Sequence, residues 1–249
     1  METMACFGGD DDFVLSSHAL DALKEFYADR DAMKARFEDL KTDAEKRHAE
    51  TLSIHDFGED WQASQFWYSD DTANLIARQL LDGATPETTI AAVSAPSVFI
   101  ALKNAIASWD QESRPKLVLL EYDSRFSIFP EYVFYDYNQS LKLPESLLGA
   151  VDRMAIDPPF LNEDCQSKEA TTVKALARPS SATSDGARIV ICTGERMETL
   201  LTTKLYSELG LRTTTFEPEH ANKLSNEFYC YANFECDEWE WREKIALAA

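Results

Sequence analysis

Short apolar runs alternate with helix-like segments from Thr88 onward, and this alternation restricts the fold more than any other feature of the sequence. Five runs are typical of successive strands: 88–93, 117–122, 132–135, 151–156 and 188–192. Helices are predicted at 97–107, from an Asn162 cap through residue 177, at 195–209 after the fifth run, and as a short terminal helix at 239–247. Such alternation predicts a parallel sheet with crossover helices. Two closing strands, 213–216 and 228–234, are expected to form an antiparallel hairpin, which completes an α/β, Rossmann-like sheet of seven strands.

Acidic side chains outnumber basic ones, above all near the N-terminus. The chain has 249 residues and a formal net charge of −20, and residues 1–60 alone hold 7 basic and 16 acidic side chains. We therefore predict an acidic, partly disordered N-terminal helical extension over residues 1–55, with its helix starting near Ser17, and the α/β domain over residues 56–249. Nucleic-acid binding rests largely on Lys and Arg that neutralise phosphates. The charge thus counts against a nucleic-acid partner and favours a basic protein partner.

Cysteine and histidine placement gives no sign of a metal centre. The sequence has five cysteines and four histidines, with no C-x-x-C pair and no spacing that suits metal ligands. We therefore expect neither a metal site nor a disulfide framework. No stretch approaches the roughly 18 apolar residues of a membrane span, and the acidic N-terminus lacks an apolar signal region. A cytoplasmic protein without a membrane partner is expected, and a monomer.

Ligands of open α/β sheets bind beyond the carboxyl ends of the strands, where the strand order reverses. Three loops there carry candidate cofactor residues. The first loop supplies Ser94, Ala95, Pro96 and Ser97, the second Glu121 and Asp123, and the third Asp136, Tyr137 and Asn138. Asp123 is the first choice and Glu121 the second for holding ribose hydroxyls. An ordinary turn, an exposed acid and a turn cap are the simpler interpretations of the three loops, and the glycine-rich dinucleotide motif is absent.

The segment Asp157-Pro158-Pro159-Phe160 follows the fourth predicted strand. Asp157 and the proline carbonyls can accept hydrogen bonds from an amine, and prolines bring no competing N–H. The Phe160 ring can stabilise a positive charge. These properties suit methyl transfer to an amine nitrogen, whose lone pair must face an electrophilic methyl group. A strand-ending Asp before a Pro-Pro turn is the structural alternative.

Several motifs together resemble one family, the eukaryotic lysine methyltransferases of translation elongation factor 1-alpha, long labelled N6-adenine methyltransferases. The motifs are Asp60 to Tyr68 (DWQASQFWY), Phe134 to Asn138 (FYDYN), Pro218 to His220 (PEH), Asn226 to Tyr231 (NEFYCY), the loop Ser94 to Ser97 and the Asp-Pro-Pro-Phe segment. The resemblance implies a class I methyltransferase that uses S-adenosyl-L-methionine. It also implies that Gln65, Phe66 and Trp67 close over the methionine end of the cofactor.

Three functions remain open at this point. The favoured hypothesis is methylation of a lysine of elongation factor 1-alpha, with Asp157, Pro158, Pro159 and Phe160 at the reacting amine. The second is an N6-adenine nucleic-acid methyltransferase, which would hold a base extruded from its stack. The third is a non-catalytic binding protein with a methyltransferase fold. The net charge and the family motifs favour the first.

Overall fold

A seven-stranded sheet organises the part of the chain that the computed structural model describes, residues 52–60, 64–180, 186–222, 224 and 227–243. The strands are β1 (Thr89–Val93), β2 (Lys116–Glu121), β3 (Tyr132–Phe134), β4 (Arg153–Ile156), β5 (Arg188–Gly194), β6 (Arg212–Thr213) and β7 (Phe228–Ala232). Their order in the sheet is β3-β2-β1-β4-β5-β7-β6. The first five strands pair in parallel, and β7 runs antiparallel to both β5 and β6. The predicted fold class is confirmed.

Helices cover the sheet and begin where the sequence supplies caps. They are α1 (Asp70–Leu81), α2 (Pro96–Ile106), α3 (Glu163–Leu176) and the single turn α4 (Glu198–Leu200). The Ser69 side chain accepts from the amide of Thr72 at the start of α1, and Asn162 accepts from Cys165 at the start of α3. Both caps satisfy amides that lack a partner within the helix.

The central strand β1 sets the position of the site. It lies between β2 and β4, so the chain leaves β1 in one direction for β2 and later returns on its other side for β4. Its residues Ile90 to Val93 are fully buried, as expected for a parallel strand covered on both faces. The loops after β1, β2, β3 and β4 therefore meet at one edge of the sheet, where the strand order reverses.

The helix predicted over 195–209 is wrong as one continuous element. The segment comprises a 3-10 turn (Glu195–Met197), α4, a π-helical turn (Leu201–Leu205) and a second 3-10 turn (Ser207–Leu209). The hydroxyls of Thr202 and Thr203 donate to carbonyls four residues earlier, at 2.8 and 2.6 Å. Such back-bonding competes with the helical amides and bends or opens the helix.

The C-terminal part also departs from the sequence prediction. The sequence predicts a short helix over 239–247, yet Trp239 and Trp241 form isolated strand-like bridges, with Cys236 and Thr214 respectively, and no residue through Glu243 is helical. Residues 244–247 of the predicted helix lie outside the described residues. Arg242 donates its amide to the Thr213 carbonyl, so this segment continues the pairing beyond the short β6.

The N-terminal extension predicted over 1–55 lies almost wholly outside the described residues. The few described residues before position 56 pack on the α/β domain: Ile54 is buried, and Leu52 exchanges two hydrogen bonds with the Asn104 side chain. Among the helices that the structure describes, none has both the length and the apolar character needed to cross a membrane.

Candidate functional site

A cavity of about 970 Å³ opens at the edge of the sheet where the four loops meet. Most of the residues predicted from the sequence line it. They are Gln65, Phe66, Trp67, Ser94, Pro96, Glu121, Asp123, Asp136, Tyr137, Asn138, Asp157, Pro158, Pro159 and Phe160. Ala95 and Ser97 are not part of the wall. Both are buried, and the Ser97 hydroxyl accepts a hydrogen bond from the Tyr68 amide at 3.2 Å.

The loop after β1 turns sharply without a glycine. Ser94 has a φ of 52°, in the left-handed region that a residue with a Cβ enters at a cost of roughly 1–2 kcal/mol. Two contacts hold it there: its amide donates to the Leu120 carbonyl at 2.8 Å, and its hydroxyl donates to Glu169 at 3.2 Å. The absence of the glycine motif therefore does not prevent the sharp turn that a cofactor loop needs.

Two acids follow β2, in different environments. Glu121 is 7% exposed, and burial raises the pKa of its carboxyl from 4.5 to about 7, although the Asp123 amide donates to it at 3.0 Å. The Asp123 carboxylate is held by Arg125 and Gln65 side chains at 2.8 and 3.1 Å, and by the Arg125 amide at 2.9 Å. Arg125 also donates to Gln65 and to the Gly58 carbonyl, which ties the segment before α1 to the end of β2.

The segment after β4 places a carboxyl at the cavity wall. Asp157 is half-buried, and its amide continues the sheet by donating to the Val93 carbonyl at 3.1 Å. Burial is the main cause that places the pKa of Asp157 well above its ordinary value. The nearby Tyr68 hydroxyl, which lies outside full hydrogen-bond geometry, opposes this shift, and the Glu121 and Glu169 carboxyls add to it. A cation that enters the cavity would lower the pKa of Asp157 and make it an acceptor.

Aromatic rings line the same cavity as Asp157. The Phe160 ring packs edge-on against Tyr137, with 5.9 Å between the centroids. His220 also lines the cavity, and its ring packs against Phe228 at 4.5 Å and Tyr68 at 4.9 Å between centroids. Burial lowers the pKa of His220 to about 4, so this ring is neutral at physiological pH. The aromatic side chains Phe160, Tyr137 and His220 therefore bring no positive charge to the cavity at physiological pH.

The loop after β3 is shaped by Asp136. Its carboxylate accepts from the Asn138 amide at 2.9 Å and from the Gln139 side chain at 3.2 Å. The Asn138 amide is the main reason that the pKa of Asp136 is lowered. Lys168 of α3 contacts the Asn138 side chain at 2.9 Å and lies 5.5 Å from the centre of the Tyr137 ring. Asp136 therefore fixes the turn that presents Tyr137 and Asn138 to the cavity.

Sequence reasoning missed several residues of the site, of which Glu169 is the clearest. Glu169 occupies the face of α3 that packs into the core, three or four residues from Cys165, Val173 and Gln166. A carboxylate at a core position of an amphipathic helix is a signal that the sequence offered. Glu169 lies behind the cavity wall, whereas Tyr135, Arg196, His220 and Phe228 line the cavity itself. Arg196 carried no pattern that would have indicated its place.

The described residues contain no group of three or more His, Cys, Asp or Glu side chains that could hold a metal ion. The described cysteines, Cys165, Cys192, Cys230 and Cys236, are free thiols.

Comparisons with known proteins agree with this geometry. A family model described as Probable N6-adenine methyltransferase matches residues 59–236. Protein-lysine N-methyltransferase EFM5 of Saccharomyces cerevisiae is 45% identical over 240 residues, which cover 91% of this chain and 94% of the relative. EEF1A lysine methyltransferase 1 of Gallus gallus is 39% identical, with 90% of this chain and 96% of the relative covered. The Homo sapiens protein of the same name is 37% identical, with 89% and 92% covered.

A solved structure shares the fold at low sequence identity. The branched-chain polyamine synthase of Thermus thermophilus, a C9 mutein, superimposes with a TM-score of 0.51 at 12% identity over 79% of this chain, which spans 62% of that structure. At this identity the likeness supports the fold alone. The curated relatives, in contrast, align over nearly their whole length. The chain therefore belongs to the family of protein-lysine N-methyltransferases that includes EFM5 and EEF1A lysine methyltransferase 1, and the resemblance inferred from the sequence motifs is confirmed.

Proposed function

We propose that this protein transfers a methyl group from S-adenosyl-L-methionine to a lysine of translation elongation factor 1-alpha. The observation that carries the proposal is one cavity that joins the Asp157 to Phe160 segment with the acid at the end of β2. The first supplies acceptors for an amine, and the second supplies an acceptor for the hydroxyls of a nucleoside. The curated relatives that match the chain are named for lysine methylation, and several are named for EEF1A.

The cavity suits the cofactor in its size and in its donors and acceptors. Glu121 is the better candidate for the ribose hydroxyls, because Arg125 and Gln65 already occupy the carboxylate of Asp123. Helix α2 begins at Pro96 without a side-chain cap, and its N-terminus favours a negative group such as the cofactor carboxylate. Tyr137 and Asn138 would contact the adenine, while Gln65, Phe66 and Trp67 would cover the methionine end. When bound, the cofactor supplies an electrophilic methyl group on a sulfonium.

The residues around Asp157 would prepare the lysine amine. A free lysine has a pKa near 10.4, so a neutral amine at pH 7 costs roughly 4–5 kcal/mol. The aromatic wall of Phe160, Tyr137 and His220 reduces this cost because it desolvates the ammonium. Once a proton has left to water, the Asp157 carboxylate and the proline carbonyls would accept the remaining N–H bonds and direct the lone pair. Asp157 is thus a positioning acceptor, and alignment supplies most of the acceleration.

A second candidate arises from the description of the matching family model, Probable N6-adenine methyltransferase. Adenine carries an exocyclic amine that the same acceptors could hold. A nucleic-acid substrate would also need a basic surface for its phosphates, and the chain has a net charge of −20. The charge favours a protein substrate.

One assay separates these functions. The protein is incubated with methyl-labelled S-adenosylmethionine and with elongation factor 1-alpha, single-stranded DNA or duplex DNA. We expect label on a lysine of the protein substrate and none on DNA. Label on DNA alone would overturn the proposal in favour of adenine methylation. A protein that gives no heat of binding on titration with S-adenosylmethionine would instead be a non-catalytic member of the fold.

The proposal includes a cytoplasmic monomer that acts on a protein partner, without a nucleic-acid or membrane partner. Sedimentation of the purified protein would test the monomer: a mass near 28.2 kDa is expected, and a stable dimer would contradict it.

A further inference from the structure

Glu169 does not line the cavity, yet it connects two parts of its wall. The residue is fully buried on α3. One carboxylate oxygen accepts from the Ser94 hydroxyl at 3.2 Å, and the other accepts from the Tyr135 hydroxyl at 3.0 Å. Ser94 and Tyr135 belong to the loops after β1 and β3, and both line the cavity. Glu169 therefore connects the loop after β1 to the loop after β3 from behind the cavity wall.

Ser94 depends on this contact more than an ordinary loop residue would. Its φ of 52° is unfavourable for any residue with a Cβ. Among the residues that the structure describes, only Ser64 also combines a side chain with a positive φ. The next residue, Ala95, is the N-cap of α2 and offers no side-chain oxygen, so the hydroxyl of Ser94 provides the side-chain anchor at this turn.

We propose that Glu169 is a positioning residue that keeps Ser94 in the left-handed conformation and thereby shapes the loop on which the cofactor binds. The inference rests on the proposed use of S-adenosylmethionine. Glycine adopts the left-handed conformation without a penalty, so a chain with glycine at this position needs no anchor. In this loop, which lacks the glycine motif, the hydrogen bond between Ser94 and the buried Glu169 stabilises the left-handed conformation that glycine would adopt without a penalty.

The test is a double-mutant cycle with titration calorimetry of S-adenosylhomocysteine as the readout. Glu169→Leu removes both hydrogen bonds and leaves an apolar side chain on the core face of α3, so the variant buries no unpaired charge. The left-handed penalty corresponds to a roughly tenfold change in loop population. We therefore expect Glu169→Leu to weaken binding about tenfold in the natural sequence. In a Ser94→Gly background the same change should weaken binding less than about threefold.

Ser94→Ala is the matched control, because it removes the hydroxyl but keeps the Cβ. In this background we expect binding that is already weak, and little further loss from Glu169→Leu, since the anchor is absent in both cases. Equal loss from Glu169→Leu in the natural and Ser94→Gly backgrounds would overturn the inference. Rescue by Ser94→Ala as well as by Ser94→Gly would also overturn it, because an unsatisfied hydroxyl, not the backbone, would then explain the loss.

A measurement without cofactor gives an independent readout. Hydrogen exchange at the amides of Ser94, Ala95, Ser97 and Val98 should be faster in Glu169→Leu than in the natural protein. In a Ser94→Gly background, Glu169→Leu should leave these exchange rates unchanged within error. Unchanged exchange in Glu169→Leu would contradict the anchor. Glu169→Gln, which conserves the size of the side chain, serves if the leucine variant does not fold, and the same pattern with smaller changes is expected. If the unaltered protein does not bind S-adenosylhomocysteine at all, the proposed function fails, whereas binding without rescue refutes only the role of Glu169.

Discussion

Replacing Glu121 with glutamine should make the stability of the protein less dependent on pH. Burial raises the pKa of this carboxyl from 4.5 to about 7. The folded protein therefore binds the proton more tightly than the unfolded chain does. The stabilisation from the protonated form is fully present below about pH 4.5 and is lost as the pH rises through about 7. Glutamine does not titrate and removes this dependence.

The magnitude follows from the two pKa values. A shift from 4.5 to about 7 corresponds to about 3 kcal/mol at high pH, of which about 2 kcal/mol are lost between pH 5 and pH 8. The amide of glutamine could lack an acceptor at this buried position, which would lower stability by about 1–3 kcal/mol at every pH. That penalty cancels when the two pH values are compared, so the difference isolates the carboxyl.

The assay is the free energy of unfolding in denaturant at pH 5 and at pH 8. We expect the natural protein to lose about 2 kcal/mol more than Glu121→Gln over this interval, or about 4–8 °C in melting temperature. Glu112→Gln, a change at an exposed glutamate far from the cavity, controls for the loss of one negative charge. Parallel losses in the natural protein and in Glu121→Gln would refute the reasoning. If Glu121 also holds the ribose, the variant should bind S-adenosylmethionine more weakly, which would explain why an acid is kept where it lowers stability.

Three further predictions concern the cavity wall. Asp157→Ala should reduce kcat about 10- to 100-fold, which is the effect of one hydrogen bond to a charged group. Calorimetry should find cofactor binding nearly unchanged. An equal loss of kcat and of cofactor binding would show that Asp157 binds the cofactor instead. Arg125→Ala removes the contacts to Asp123, Gln65 and Gly58. We expect faster hydrogen exchange at the Gln65 amide and a loss of about 1–2 kcal/mol in unfolding free energy. Unchanged exchange would mean that other contacts hold the segment before α1. Ser97→Ala leaves the Tyr68 amide without its acceptor and should lower the unfolding free energy by about 1–3 kcal/mol; no measurable loss would show that water replaces the hydroxyl.

The sequence predicted the sheet well because its signals are local. Buried parallel strands are short apolar runs, and the caps Ser69 and Asn162 stand at the first turns of α1 and α3. The failures have a different origin. The threonine hydroxyls that break the segment after β5 compete with backbone amides within the helix, and the pairing of Trp241 with Thr214 depends on a contact across 27 positions. Neither follows from periodicity.

The same distinction applies to the site. Most of the predicted residues follow strands directly, so the topology alone brings them to one edge of the sheet. The surroundings of each side chain do not follow from the topology. The sequence does not reveal that Arg125 forms an ion pair with Asp123, nor that Glu121 is buried. Glu169 could have been found as an acid on the core face of a helix, but its partner Ser94 could not, because a left-handed serine leaves no sequence pattern.

A crystal structure with S-adenosylhomocysteine would test the central claim most directly. We expect the ligand in the cavity, with its ribose hydroxyls within hydrogen-bond distance of the Glu121 carboxylate and its sulfur on the side of Asp157 and Phe160. A ligand bound outside this cavity, or one whose sulfur faces away from Asp157, would contradict the assignment of the reacting amine to the Asp157 to Phe160 segment.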